Sequence, residues 1–262
     1  MAQWLSKIKL ALFIPFFIPA ACATAIPSTP LPTLDVVRIG YQPALIPWIK
    51  KLKTCSLQQE NNTLAYYEAP GSNQPNPLSF YDFFLQLDGD IPSQAFATQI
   101  GQENITWIVN PENPVVRLDP ILLAQLYEGH HKSWSAIDNS TEEFTFPPVP
   151  YIYAKENPLY RAFQTSLWSQ RLYPPQALLT ADPSTMLQDV ASSPGGVGFL
   201  PKTWLEIETG DSAGKVKPIE ITDLQMNVAV IALASNEPTG TPLALLLCIQ
   251  EKLEDVNSEV KE

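Results

Sequence analysis

From residue 35 onward, short apolar runs alternate with segments whose apolar residues recur every three to four positions, and no other feature of the sequence constrains the fold as tightly. Residues 36–39 (VVRI) read as a strand closed by Gly40. Leu45, Trp48, Ile49 and Leu52 then share one face of a helix over 44–54. Further strands are expected at 63–68 (TLAYYE), weakly at 95–98, strongly at 105–109 (ITWIV), and at 147–153, 196–200 (GVGFL), 216–221 and 227–234 (NVAVIALA). Helices are expected from about 79 to 87 and over 118–127, the latter with Asp119 as cap and Pro120 in its first turn. Others start at Asn157, with Pro158 at the first position, and run over 183–191 and 242–253. Short strands separated by helices of about ten residues build βαβ units, in which the strands lie parallel and the helices cover the sheet. The fold class that follows is α/β.

The first 34 residues stand outside this pattern. Lys7 and Lys9 precede an apolar run over 10–21 (LALFIPFFIPAA), and small residues surround Cys22. A basic start, a short apolar stretch and small residues make 1–22 a secretory signal peptide. The run falls short of the roughly 20 apolar residues a bilayer needs, and Pro15 and Pro19 interrupt a helix. Two endings fit. The small residues before Cys22 resemble a bacterial lipobox, in which Cys22 is acylated and anchors the chain to the membrane, although Pro19 stands where that motif usually carries Leu. Ordinary cleavage at Ala21-Cys22-Ala23 or Ala23-Thr24-Ala25 is the alternative. Residues 23–34, with Pro27, Pro30 and Pro32, form a semi-rigid tether. Either ending exports the chain to the cell envelope. That compartment permits a disulfide between Cys55 and Cys248, while the apolar surroundings of Cys248 (LALLLCIQ) suit a buried free thiol equally.

Charge narrows the function. The chain carries 27 acidic against 16 basic residues, a net charge of −11, and loss of Lys7 and Lys9 with the leader makes the product more acidic still. So few cations leave no footprint for a phosphate backbone, which excludes a nucleic-acid partner. The two histidines, His130 and His131, are adjacent, and no cysteine or further histidine completes a metal set, so neither metal nor cofactor is expected. Ser192-Ser193 lacks a nucleophile elbow, and Glu142-Glu143 sits in a polar loop without a partner carboxylate at glycosidase spacing. No catalytic residue is assigned; a secreted hydrolase would have to build its site on His130 or His131.

Residues 105–134 (ITWIVNPENPVVRLDPILLAQLYEGHHKSW) resemble the segment in which periplasmic phosphate-type (type 2) solute-binding proteins of ABC transporters cross from one lobe to the other. Residues 37–45 (VRIGYQPAL), 151–163 (YIYAKENPLYRAF) and 192–204 (SSPGGVGFLPKTW) resemble, in the family's order, its first ligand loop, its second-lobe helix start and the strand near its return crossing. The resemblance covers nearly all of the chain after residue 35. It implies a two-lobed fold, each lobe a mixed sheet flanked by helices, joined by two hinge strands. Lobe 1 would comprise 35–111 and 215–262, and lobe 2 would comprise 112–214.

The resemblance also implies a function without chemistry: a monomer that captures a small, anionic ligand, phosphate or another oxyanion, between its lobes and hands it to an ABC transporter permease. Helix N-termini can hold such an anion through backbone N–H groups, whatever the net charge. The candidate ligand residues are Tyr41 and Gln42 after the first strand, Ser72 after the second, and Thr98 and Gln99 in the next loop. Asn157, Tyr160 and Arg161 follow at the second-lobe helix, then Ser184 with Thr185 at a later one. One departure opens an alternative. Where phosphate binders place Ser-Gly-Thr, this chain reads Asn157-Pro158-Leu159, and Pro158 removes an N–H donor. An envelope sensor or interaction module on the same fold, feeding no transporter, is the second reading.

Overall fold

The computed structural model describes residues 35–58, 63–69, 77–137, 143–168, 174–207 and 216–259. The leader, the tether with Cys22, and Ser72 lie outside the described residues. In chain order, β1 (Asp35–Tyr41) passes through a 3-10 turn at Pro43–Leu45 into α1 (Ile46–Gln58), and β2 (Thr63–Glu68), β3 (Phe83–Leu87) and β4 (Phe96–Val109) follow. Then come β5 (Arg117–Leu118), α2 (Pro120–Tyr127), β6 (Val149–Tyr153) and α3 (Pro158–Phe163), which widens into a π-helical turn at Gln164–Trp168. β7 (Leu178–Thr180), α4 (Pro183–Ser192), β8 (Gly196–Pro201), α5 (Thr203–Ile207), β9 (Lys217–Ile221), β10 (Met226–Ala234) and α6 (Gly240–Glu259) complete the chain.

One pairing rule is used twice. In the first half of the sheet β1 lies parallel between β2 and β3, β10 pairs antiparallel with β3, and the start of β4 pairs antiparallel with β10. In the second half β6 lies parallel between β7 and β8, the end of β4 pairs antiparallel with β8, and β9 pairs antiparallel with β4. Each half thus borrows a strand that has crossed from the other: β4 enters the second half, and β10 returns to the first. β4 can serve both halves because it is 14 residues long. Its register slips between Gln99 and Gly101, opposite Val230 and Ile231, and such a bulge bends and twists a strand.

The elements form for local reasons that the sequence carries. Asp119 accepts the Ile121 N–H at 2.7 Å to start α2, and Gly129, at φ 78°, takes the left-handed turn that stops it. Both faces of the second half are covered, so β8 is buried along its whole length. Phe199 stacks on Phe163 at 5.3 Å with rings 7° from parallel, and Trp107 meets Phe199 at 5.0 Å. In the first half α1 and α6 pack on one face of the sheet, over Val37, Ile39, Phe83, Leu85 and Val230. The other face carries a smaller cluster of Leu78, Tyr81, Phe84, Ile231 and Leu233. Cys55 and Cys248 form a disulfide that joins α1 to α6, with Cα atoms 6.0 Å apart.

Two expectations are corrected. The helix expected over about 79–87 is a 3-10 turn at Pro77–Ser79 followed by β3, because Phe83, Leu85 and Leu87 face the helices while Phe84 faces the second cluster. A strand covered on both faces shows a continuous apolar run, and that run also satisfies helical spacing. The strands expected separately at 95–98 and 105–109 are one strand, β4; the polar stretch between them (GQEN) is carried by its pairing with β10.

Candidate functional site

The register sets two rows of strand ends against each other. β3 ends at Leu87, level with Val230 and hence with Gly101 of β4, whereas β8 ends at Pro201, level with Ile105. β3 and β8 run in opposite directions, so their carboxyl ends point at each other across four residues of β4, about 13 Å of strand. β1 and β2 end beside β3, and β6 and β7 end beside β8. The carboxyl ends of parallel strands, where helices begin, are where open α/β sheets bind ligands.

Contacts across this gap come from both sides. Nε1 of Trp204, in α5, donates to the Ala44 carbonyl at 2.8 Å, and the Lys202 N–H donates to the Asn104 carbonyl at 2.7 Å. On the other side Nη1 of Arg161, in α3, approaches Oδ1 of Asp90, after β3, at 4.0 Å. Between them Glu103 of β4 is 1% exposed and accepts two bonds. Nε1 of Trp48 from α1 donates at 2.5 Å, and the Thr203 N–H at the start of α5 donates at 3.1 Å. Burial pushes the Glu103 carboxyl above the ordinary glutamate range, and these hydrogen bonds oppose the shift without cancelling it.

The residues singled out from the sequence do not all come together. Tyr41 and Gln42 stand at the end of β1, but Gln42 is already engaged: its Oε1 accepts the Leu87 N–H at 3.0 Å and so ties β1 to β3. Asn157 caps α3, Arg161 lies in its last turn and Ser184 in the first turn of α4, all following the second row of strand ends. Tyr160 lies on the same helix but is 3% exposed and packs against Phe163, so its ring belongs to the core. Thr98 and Gln99, expected in a loop, lie inside β4, paired with Ala232 and Ile231; Ile231 also pairs with Gln86, so Gln99 stands one register position from the end of β3. Ser72 and Cys22 fall outside the described residues.

The helix starts that face the gap are largely occupied by the chain itself. Asn157 accepts the Leu159 N–H at 2.9 Å, and Asp182 accepts both the N–H and the hydroxyl of Thr185, at 2.8 and 3.0 Å. Pro43, Pro158 and Pro183 open the 3-10 turn, α3 and α4, and each removes a donor. Around the two rows stand Glu68, Asp88, Asp90, Glu156 and Asp182, against Lys155, Arg161 and Lys202. A phosphate cage of bare helix N-termini is therefore not what this site offers; Asp182 places a carboxylate where such a cage would need donors.

Sequence reasoning missed Glu103 and Thr203. Period-two alternation through QENITW puts Glu103 on the face of Ile105 and Trp107, a signal that was readable. His130 and His131 lie in the turn after α2, where Nε2 of His131 meets Oε1 of Gln125 at 3.2 Å. Among the described residues no group of three or more His, Cys, Asp or Glu side chains could hold a metal ion.

No protein-family model matches the sequence, and no curated protein matches it. Solved structures do. A Clostridium perfringens protein with bound phosphate, described as a phosphate ABC transporter substrate-binding protein, is similar at TM-score 0.64 and 12% identity, over 82% of this chain and 93% of that one. An ABC-type phosphate transport receptor from Vibrio cholerae is similar at TM-score 0.54 and 15% identity, over 86% and 98%. The reduced OxyR regulatory domain from Pseudomonas aeruginosa is similar at TM-score 0.59 and 13% identity, over 82% and 97%. At such identities the likeness speaks for architecture, and it agrees with the doubled strand order and the two crossing strands: the chain has the type 2 periplasmic-binding-protein fold, in a sequence far diverged from these structures.

Proposed function

We propose that this chain is an exported solute-binding protein that captures a small ligand between its two halves and delivers it to an ABC transporter permease, without performing chemistry. The observation that carries the reading is the register of β3, β4 and β8, which turns the carboxyl ends of six parallel strands toward one gap. The two halves would close on the ligand by bending at the crossing strands β4 and β10. Acylation at Cys22 would hold the monomer at the membrane beside its permease. The phosphate named for two similar structures makes an oxyanion the first ligand to test.

The occupied helix starts favour a second reading, a sensor or interaction module on the same fold, and the similar OxyR regulatory domain is in keeping with it. A thermal-shift screen separates the two. A ligand at 100 times its Kd adds about 2.7 kcal/mol of stability, which moves the melting point by several degrees. A rise with phosphate, sulfate, molybdate or a small organic acid supports solute capture. A melting point unmoved by all of them, together with a pull-down that recovers a signalling receptor and no permease, rejects capture in favour of the module.

A further inference from the structure

On one side of the crossing, α5 of the second half is tied to the first half and to β4. Nε1 of Trp204 donates to the Ala44 carbonyl at 2.8 Å, the Thr203 N–H donates to Oε1 of Glu103 at 3.1 Å, and Lys51 of α1 approaches Glu206 of α5 at 4.0 Å. Oε2 of Glu103 accepts the Trp48 indole at 2.5 Å. One carboxyl, on a strand that both halves share, therefore bonds a helix from each. Glu103 and Trp48 are 1% exposed and Trp204 is 3% exposed, so α1 and α5 together close this carboxyl off from water. A bend about β4 and β10 that carries α5 away from α1 breaks the Trp204 bond and strips Glu103 of the Thr203 N–H and of its cover. Burial favours the neutral carboxyl and water the ionised one, so such a bend and the loss of one proton go together.

The charged groups nearby do not cancel this coupling. Lys51 favours ionisation of Glu103, but burial outweighs it, and Glu206 faces the same lysine. Lys50 and Lys53 of α1, Lys202 before α5 and Glu251 of α6 are exposed. β10 sets Val228 opposite Glu103, and β8 ends beside Ile105 in Leu200 and Pro201, none of which carries a charge. We infer that Glu103 is a proton-operated latch between the halves: neutral, it stays buried under α1 and α5 and holds the arrangement seen here; ionised, it releases α5 and lets the halves bend. The latch serves solute capture and sensing alike, since neither ligand nor partner enters it.

The test is exchange of the indole N–H protons with deuterated water, followed by nuclear magnetic resonance, on the purified parent and on Glu103→Gln at matched pH. The variant's amide keeps an acceptor for Trp48 and has no proton to lose in this range. Dividing the Trp204 rate of the parent by that of the variant removes the dependence of the exchange chemistry on pH. That ratio should rise as pH climbs above 4.5, in total by about tenfold for each unit by which burial raises the carboxyl. The Trp134 indole, bonded to the Gly195 carbonyl inside the second half, reports unfolding instead of bending. In the parent it should exchange at least about tenfold more slowly than Trp204 at every pH. A ratio that stays level with pH overturns the inference, because the carboxyl then does not govern α5. Trp204 exchanging no faster than Trp134 overturns it as well, because α5 then leaves only when the chain unfolds. Neither failure touches solute capture, which the thermal-shift screen decides separately.

Discussion

Glu103 is the residue on which the crossing turns, because it bonds an indole from α1 and a backbone N–H from α5 while sitting in the strand that joins both halves. Its carboxyl is raised by burial, so the folded chain holds that proton more tightly than the unfolded chain does. Stability from this group is therefore greatest below the ordinary glutamate value near 4.5 and is lost as pH rises through the interval above it. Glu103→Gln carries no charge to desolvate and keeps an acceptor for Trp48. The urea midpoint of the parent should fall relative to that of Glu103→Gln as pH rises above 4.5. Parallel midpoint curves across that range would show that the carboxylate is ionised at no cost in the fold. A second residue tests close approach. At Gly195 a Cβ would overlap the Pro147 carbonyl, backbone against backbone, while the Gly195 carbonyl accepts from Trp134 Nε1 at 3.0 Å. Gly195→Ala should cost about 3 kcal/mol or more in chemical denaturation, since neither partner is a flexible side-chain end. Glu103 could be read from alternation, but nothing in the sequence sets Gly195 apart from a turn glycine, because the carbonyl it faces is 48 positions away.

Among the elements, α1 and α6 are joined most firmly, by a disulfide closing 193 residues of chain. A loop of that length confines the unfolded chain strongly, and removing such a bridge typically costs about 2–5 kcal/mol. Replacing Cys55 and Cys248 together by Ala should lower the urea midpoint accordingly, and reduction of the parent should reproduce most of the loss. Equal midpoints for parent and double variant would mean that α6 docks without the link. The helices with their own caps were the most legible elements: Asp119-Pro120 and Asn157-Pro158 start where cap and proline predict. Strands buried on both faces were less so. FFLQL satisfies helical and strand patterns at once, and burial of all five residues in the sheet decides between them. β7 escaped notice because it is three residues long and shows Leu178 and Leu179 to solvent, leaving no apolar alternation to read. The candidate site was legible only in outline. Asn157, Arg161 and Ser184 follow the facing strand ends, but Thr98 and Gln99 were assigned to a loop that the uninterrupted run of β4 removes.

For the whole molecule, the question is whether the two halves stand or fall together. Separate unfolding would have to free one half of β4 while the other stays paired, and would expose the hydrophobic core that runs from Trp48 and Leu52 through Ile105 to Trp107, Tyr127 and Phe199. It would also break the Trp204 bond to Ala44 and leave the buried carboxyl of Glu103 without one of its donors. A single cooperative transition is therefore expected in urea. Two probes can detect any departure from it, because they weight the halves differently. Trp107, Trp134, Trp168 and Trp204 lie in β4's second half or beyond it, so fluorescence reports mainly on the second half. Helical ellipticity draws most on α1 and α6, which are 13 and 20 residues long and cover the first half. Fluorescence and far-ultraviolet circular dichroism should give the same midpoint with the disulfide intact. Curves that separate would show that the crossing strands join two independently folding bodies. In that case the bonds at Glu103 and Trp204 would yield before the halves do, and closure on a ligand would need to overcome only those contacts.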